Sequence, residues 1–422
     1  MNLSPRESFE NGAAKSGESL FRSFFMAGFE CSTHKLGTGR RLDLVHSTQH
    51  DRFCELDYRR MVELGFKVAR EGLRWHLIEK RAGQYDFSTA APFMKAAQTH
   101  DVQVIWDLCH YGWPEDIDIY KPEFVRRFAR MARAFAQWLS NETDDLPIIT
   151  PINEISFFAW AGGESAYMNP YCRGRSFELK VQLARAAIEA MEAVWSVMPH
   201  ARFTIIDPIV HVIPHPNRPE DKGAAAAHRA AQFQGWDLLA GRLWPQIGGD
   251  EKYLDIVGIN YYPDNQWIKG FGLITRDHPL YLPFSELILE VHQRYQRPMF
   301  IAETGAENLK RPEWLKYICG EVRTAIRRGV DLNGICLYPI LNHPGWDNDR
   351  HCHNGLWDYA DDQGQREVYE PLANELSKQQ EQFESEPEVI ASEITLEGTL
   401  AERTSPAVPV MELPNVAGAR RA

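Results

Sequence analysis

Eight short, β-rich segments alternate with eight amphipathic segments along this chain, and this alternation restricts the possible folds more than any other feature. Segments such as residues 146–152 and 298–302 are apolar and unbroken, which is typical of strands buried on both faces. The predicted strands are residues 24–31, 67–73, 103–108, 147–152, 202–206, 256–260, 299–302 and 334–338. The predicted helices are residues 51–64, 90–100, 122–140, 177–197, 228–243, 285–295, 312–328 and 367–383. This pattern predicts an α/β fold, a single (β/α)8 TIM barrel.

The main rival is a doubly wound open sheet. Such a sheet usually carries a glycine-rich phosphate turn after its first strand. Here the first strand leads into the sequence ECSTH at residues 30–34, which contains no glycine. The barrel is therefore favoured.

The two ends of the chain differ from its middle. Residues 1–20 are polar, and residues 385–422 are rich in Glu, Pro and small residues with little periodicity. We expect a flexible N-terminal segment at 1–20, a (β/α)8 barrel domain at 21–384 and a flexible tail at 385–422.

Charge and cysteine content indicate the partners and the compartment. The net charge of −12 argues against nucleic acid or an anionic membrane as a partner, because both require basic patches. No stretch of 18 apolar residues occurs, and the first twenty residues lack the apolar core of a signal peptide. Seven scattered cysteines fit reduced thiols, so we expect a cytoplasmic protein. The sequence carries no signal for an oligomeric state.

Two glutamates stand where apolar strands end. Glu154 follows residues 146–152, and Glu303 follows residues 298–302. In a parallel barrel the carboxyl ends of the strands form the catalytic face. Two carboxylates on that face predict an acid/base and a nucleophile acting on a glycoside, a reaction that requires no metal and no cofactor.

Other strand ends carry polar and aromatic side chains, as a sugar-binding site requires. A sugar needs hydrogen-bond partners for its hydroxyls and a flat apolar wall beneath its ring. Each residue alone is typical of a loop start, so the prediction depends on the whole ring. The predicted substrate-binding residues are Arg70, His110, Asn153, Asn260, Tyr262, Tyr338 and Trp346.

Five motifs resemble those of glycoside hydrolase family one, whose members are retaining β-glycosidases built on this barrel. The motifs are GFKVAR (65–70), LCHYGWP (108–114), TPINE (150–154), GINYY (258–262) and IAETG (301–305), in the family's order. The resemblance implies that Glu154 is the acid/base and Glu303 the nucleophile. It also implies that Arg70 and a tyrosine of the fourth motif contact Glu303, and that His110 binds the sugar.

The chain also departs from the family pattern. Ile155 stands where the family has Pro, and the strand-one Gln is missing from STHK at residues 32–35. After strand eight, Tyr338 replaces a Trp, and Gly345 precedes Trp346 where the family has Glu. Asp347 is a candidate for the missing carboxylate. The chain therefore resembles a divergent member whose sugar specificity is not inherited, and the absence of a phosphate-binding Ser/Lys/Tyr pattern disfavours a phosphosugar.

The resemblance implies a two-step mechanism. Glu303 attacks the anomeric carbon, and Glu154 protonates the leaving oxygen and then activates water. This requires carboxyls about 5–5.5 Å apart and a higher pKa for Glu154 than for Glu303. We expect Asn153 to bind the 2-hydroxyl of the sugar.

Two other functions stay open. One is a catalytically weak or inactive barrel that binds carbohydrate, since the sugar-gripping residues are altered. The other is a metal-dependent hydrolase that uses the cluster His343, His351, Cys352, His353 and Asp358, although its spacing matches no zinc pattern. Intact Glu154 and Glu303 favour the glycosidase.

Overall fold

The computed structural model describes the backbone of residues 19–401 and the side chains of residues 19–385. Eight parallel strands close into a barrel in which each strand pairs with its neighbours in the chain and the first pairs with the last. The strands are β1 Phe25–Gly28, β2 Val68–Gly72, β3 Gln103–Asp107, β4 Ile148–Thr150, β5 Arg202–Pro208, β6 Ile256–Asn260, β7 Met299–Thr304 and β8 Leu332–Leu337. The predicted (β/α)8 barrel is confirmed.

Helices surround the barrel. They are α1 Leu44–Ser47, α2 His50–Glu63, α3 Trp75–Ile78, α4 Ala91–His100, α5 Pro122–Glu142, α6 Ile155–Gly163, α7 Ser176–Trp195, α8 Lys222–Ala231, α9 Gln234–Leu239, α10 Phe284–Tyr295, α11 Arg311–Arg327 and α12 Glu370–Ala401. Within residues 19–401, none of them is both long and apolar enough to cross a membrane. Short strands outside the barrel form one three-stranded sheet (His211–Ile213, Gln266–Ile268, Gly272–Leu273) and two hairpins (His343–Pro344 with His351–Cys352, Trp357–Ala360 with Arg366–Val368).

One predicted helix, at residues 228–243, is wrong in extent, because the structure has two helices there, α8 and α9. The side chain of Gln232 donates to the carbonyl of Arg229 at 2.7 Å and accepts from Val210 N at 2.7 Å. Phe233 N instead donates to Ala230 O. A side chain that takes a helical carbonyl competes with the backbone in this way, so the helix ends and restarts.

Only parts of the predicted terminal segments belong to the described residues. Residues 1–18 of the N-terminal segment lie outside them, and so does the tail beyond Ala401. The chain divides into two compact units. The first ends at Ser377 and holds the barrel, and the second begins at Lys378. The predicted domain boundaries stay predictions.

Alternate residues of the barrel strands point into a dry interior. Phe21 covers the amino-terminal end of this core, and its ring centroid lies 5.2 Å from that of Phe300. Burying each large apolar side chain stabilises the fold by roughly 1.5–3 kcal/mol. The core comprises Phe21, Met26, Val68, Ile105, Ile148, Ile206, Ile256, Phe300, Ala302, Cys336 and Tyr338. A packed floor of this kind leaves the carboxyl ends of the strands as the open face.

A buried ionic cluster connects β2 to α2 outside the barrel. Glu71 alternates with the inward-facing Arg70, so its carboxylate faces the helices, where it accepts from His50 Nε2 at 2.9 Å. His50 Nδ1 lies 2.8 Å from Asp57 Oδ2. Burial alone would lower the pKa of His50, but the charges and hydrogen bonds of Glu71 and Asp57 raise it to about 9. The imidazole is therefore a cation that joins two carboxylates.

This cluster predicts a specific pH dependence of stability. Because the pKa of His50 is about 9 in the folded protein and 6.5 without these contacts, its contribution is complete below pH 6.5 and is lost as pH rises through 9. The difference in unfolding free energy between wild type and His50→Gln should shrink over this window, by up to about 1.4 kcal/mol per pH unit. Denaturant unfolding at several pH values measures it, with the exposed His200→Gln as control. A difference that does not change with pH would contradict the ionic assignment.

Candidate active site

A cavity of about 1160 Å³ opens at the carboxyl ends of the barrel strands. Glu154 and Glu303 both line it, together with His110, Tyr262 and Trp346. The volume exceeds the usual range for small-molecule pockets, roughly 300–1,000 Å³. The cavity therefore has room for a sugar ring and for a substantial group attached to it.

Both oxygens of Glu303 are held by donors. Glu303 is the fifth residue of β7, and its Oε1 accepts from Arg70 Nη1 at 2.7 Å. Its Oε2 accepts from the hydroxyl of Tyr262 at 3.0 Å. Tyr261, the other tyrosine of the motif, instead contacts Tyr281. These contacts fix the carboxylate in place and stabilise negative charge on it.

Arg70 lies beneath the cavity, and its guanidinium is completely buried. Its Nε and Nη2 donate to the two oxygens of Asp107 at 3.1 and 2.6 Å. Its Nη2 also donates to Asn153 Oδ1 at 2.8 Å. Burial alone would lower the pKa of Arg70, but Asp107 and Glu303 raise it well above its usual value. The guanidinium therefore stays charged and connects β2, β3, β4 and β7.

Glu154 has a different environment. Its backbone is in the left-handed region (φ 48°), which costs a non-glycine residue about 1–3 kcal/mol. Its Oε1 accepts from Asn260 Nδ2 at 2.9 Å, and its Oε2 accepts from the hydroxyl of Tyr111. Burial, and next the charge of Glu303, raise the pKa of Glu154 to about 8, against the effect of these two hydrogen bonds. Glu154 is thus protonated at neutral pH.

Asp207, at the end of β5, holds the backbone that follows Glu154. Its carboxylate accepts from Ser156 N at 2.8 Å and from Ser156 Oγ at 2.9 Å, at the first turn of α6. Burial raises the pKa of Asp207 to about 7. The side chain fixes the start of α6 and does not line the cavity.

The predicted substrate-binding residues occupy two layers. His110, Tyr262 and Trp346 line the cavity. Arg70, Asn153, Asn260 and Tyr338 are buried beneath it. Their direct contact with a substrate stays a prediction.

The buried layer is hydrogen-bonded internally. His110 Nδ1 lies 3.0 Å from Asp107 Oδ2, and its Nε2 lies 3.1 Å from Asn153 Nδ2. Asn153 Nδ2 also donates to the hydroxyl of Tyr111 at 3.0 Å. The ring of Tyr338 stacks parallel to that of His110 with centroids 6.1 Å apart. A sugar hydroxyl that binds His110 or Asn153 has to share or replace one of these contacts.

Trp346 forms an aromatic wall at the mouth of the cavity. Its ring lies 4.5 Å from that of His34 and stacks on Tyr167 at 6.4 Å. The hydroxyl of Tyr167 donates to Asp347 Oδ2 at 2.9 Å. Asp347 lies on the exposed rim of the cavity, so the substitute carboxylate considered from sequence is present there but is already hydrogen-bonded.

Sequence reasoning assigned no role to Asp107 or Tyr111. The carboxylate of Asp107 is hydrogen-bonded to both Arg70 and His110, and the hydroxyl of Tyr111 donates to Glu154. A charged residue inside the apolar segment at 103–108 was an available signal for Asp107. Nothing in the sequence signalled the contact of Tyr111, because its partner lies 43 residues away on another strand end.

Two groups among the described residues bring possible metal ligands together. The first group is Cys31, Asp107 and His110, in which the carboxylate of Asp107 is already paired with Arg70. His351, His353 and Asp358 form the second group, which Cys352 and His343 do not join. None of these three residues lines the cavity. An ion bound to them would therefore lie outside the cavity that holds Glu154 and Glu303.

No protein-family profile matches the chain, and no curated protein matches it in sequence. Solved structures match its fold. A family 1 β-glucosidase from Thermotoga maritima gives a TM-score of 0.68 at 17% identity, covering 85% of this chain and 97% of its own. The β-glucosidase from Thermotoga maritima in complex with glucoimidazole gives 0.69 at 16% identity, covering 86% and 99%. A hyperthermophilic β-glucosidase mutant gives 0.66 at 15% identity, covering 84% and 98%. The chain therefore has the fold of family 1 β-glucosidases.

The contact between Tyr111 and Glu154 is testable without a substrate. Because the hydrogen bond from Tyr111 lowers the pKa of Glu154, Tyr111→Phe should move the titration of Glu154 upward from about pH 8. Infrared difference spectra against Glu154→Gln, recorded over pH, follow the protonated carboxyl band. Tyr167→Phe, which removes a hydroxyl from the rim, is the control and should leave the midpoint unchanged. A midpoint that stays in place in Tyr111→Phe would refute the contact.

Proposed function

We propose that the protein is a retaining β-glycoside hydrolase in which Glu303 is the nucleophile and Glu154 the acid/base. The observation that carries the proposal is the difference between two carboxyls in one cavity. Arg70 and Tyr262 stabilise negative charge on Glu303, whereas burial and the charge of Glu303 keep Glu154 protonated. A carboxyl with a raised pKa beside one whose charge is stabilised by donors is the arrangement that acid and nucleophile roles require.

In the first step, an oxygen of Glu303 attacks the anomeric carbon and the bond to the leaving oxygen breaks. Glu154 transfers its proton to that oxygen, so the aglycone departs as an alcohol. The product is a glycosyl ester of Glu303, and Glu154 is left as a carboxylate. Burial still raises the pKa of Glu154 at this point, but the second cause, the charge of Glu303, has been lost.

In the second step, Glu154 takes a proton from water, and the water oxygen attacks the anomeric carbon. The ester bond to Glu303 breaks and returns the carboxylate to its contacts with Arg70 and Tyr262. Two inversions give net retention of the β configuration. The charge of Glu303 acts on Glu154, so the two carboxyls are close enough to interact. Retention requires them to lie about 5–5.5 Å apart.

The substrate is a β-linked glycoside of small-molecule or oligosaccharide size. His110, Tyr262 and Trp346 line the cavity, which supports the proposal that they contact the sugar, and we expect Asn153 to bind its 2-hydroxyl. Asn260 and Tyr338 complete the support beneath. The reaction draws on these side chains alone, without a cofactor. The cytoplasmic location also stays a proposal, supported by seven unpaired cysteines.

The roles of the two glutamates are separable by variants. Hydrolysis of a panel of aryl β-glycosides should fall at least about a thousandfold in Glu303→Ala and, for poor leaving groups, about a hundredfold or more in Glu154→Ala. Azide should restore turnover in both variants, giving an α-glycosyl azide with Glu303→Ala and a β-glycosyl azide with Glu154→Ala. Glu164→Gln, which alters a third carboxyl on the cavity wall, is the matched control and should keep wild-type turnover.

Near-wild-type hydrolysis by Glu303→Ala would overturn the nucleophile assignment. Tight binding of panel sugars by the wild type with no hydrolysis would instead favour the alternative, a barrel that binds carbohydrate without cleaving it.

The pH profile should follow the proton on Glu154. Since its pKa is about 8 and the first step needs the acid form, kcat/KM should fall about tenfold per pH unit above pH 8 for an alkyl aglycone. A dinitrophenyl aglycone leaves without protonation, so its kcat/KM should stay level over the same range. An equal fall for both aglycones would assign the basic limb to another group.

A further inference from the structure

Glu30 is another carboxylate in the cavity that holds Glu154 and Glu303. It follows β1, is only 8% exposed and lines the same cavity as Glu154 and Glu303. Its Oε1 accepts from Ser32 N at 2.9 Å and also from Ser32 Oγ. These two donors lock the side chain so that it presents its second oxygen in a fixed position.

No lysine or arginine among the described residues pairs with Glu30. By contrast, Asp107 and Glu303 share the guanidinium of Arg70, and Glu307 pairs with Arg350. Burial alone would raise the pKa of Glu30, but attraction to His110 and His343 and the hydrogen bonds from Ser32 lower it. Glu30 is thus a buried, ionised carboxylate whose Oε2 has no hydrogen-bond partner among the described residues.

The barrel order places Glu30 away from the leaving group. β1 lies between β2 and β8, whereas Glu154 follows β4 and Glu303 belongs to β7. In the proposed complex the anomeric carbon lies at Glu303 and the 2-hydroxyl at Asn153, so following the barrel order from β4 we assign ring positions C3 and C4 to the side of β3 and β1. His110 follows β3 and is an electrostatic neighbour of Glu30, which agrees with this orientation.

We propose that Glu30 binds a protonated amino group at C3 or C4 of the sugar, so that the preferred substrate is a β-glycoside of an amino sugar. This inference rests on the proposed function. An ionised carboxylate only accepts hydrogen bonds, and one that is buried with a free oxygen and no lysine or arginine partner is stabilised by an ammonium. The same carboxylate repels uronic acids and phosphosugars.

Binding to Glu154→Gln tests the inference, because this variant does not turn over and its amide resembles the protonated acid. The probes are the methyl β-glycosides of glucose and galactose and their 3-amino and 4-amino analogues, measured by calorimetry at pH 6. At least one amino glycoside should bind ten times or more tightly than its parent sugar. Adding Glu30→Gln should abolish this advantage while the parent sugar still binds.

The matched control is Glu307→Gln, since Glu307 also lines the cavity but is paired with Arg350. It should leave the preference for the amine unchanged. No preference for the amine, or a preference that survives Glu30→Gln, would overturn the inference and leave the glycosidase proposal intact. An equal loss of both sugars in Glu30→Gln would assign Glu30 to a pair of hydroxyls and also overturn it. Failure of every sugar to bind would contradict the proposed function itself.

Discussion

The buried guanidinium of Arg70 is the interaction on which the site depends. It reaches Asp107, Asn153 and Glu303 from one point under the cavity, and so fixes side chains from four strands relative to one another. A buried charge is tolerated only where opposite charges and further hydrogen bonds compensate it, so removing the guanidinium would leave two buried carboxylates without their counter-charge. The barrel core is rigid, and Arg70 fixes Glu303, the proposed nucleophile, relative to it.

Glu154, the proposed acid/base, has a different set of partners. It is one residue beyond Asn153, yet its left-handed backbone turns its side chain to Tyr111 and Asn260, which are neutral donors. Burial, and next the negative charge of Glu303, raise the pKa of Glu154. Arg70 contacts Glu303 directly, so the two carboxyls differ in the way that the proposed roles require.

The fold was predictable from the sequence because strand and helix periodicities repeat eight times. An error in the bounds of one helix, such as residues 228–243, does not change the number of barrel strands. The meeting of Glu154 and Glu303 in one cavity was predictable because each stands at or just after the end of a buried strand. Other features depend on contacts that no local pattern encodes. The break between α8 and α9 arises from the side chain of Gln232, and α6 is secured by Asp207, 51 residues away. The roles of Tyr111 and Glu30 likewise appear only when the strand ends converge.

The central claim is that Glu303 forms a covalent bond to the sugar. A 2-deoxy-2-fluoro aryl β-glycoside of the preferred sugar slows release of the intermediate, and peptide mass spectrometry then locates the label. The account predicts one fluoroglycosyl group per chain, on the peptide that contains Glu303, with no label in Glu303→Gln. A label on Glu154, or turnover that releases the α-anomer without any labelled protein, would contradict it.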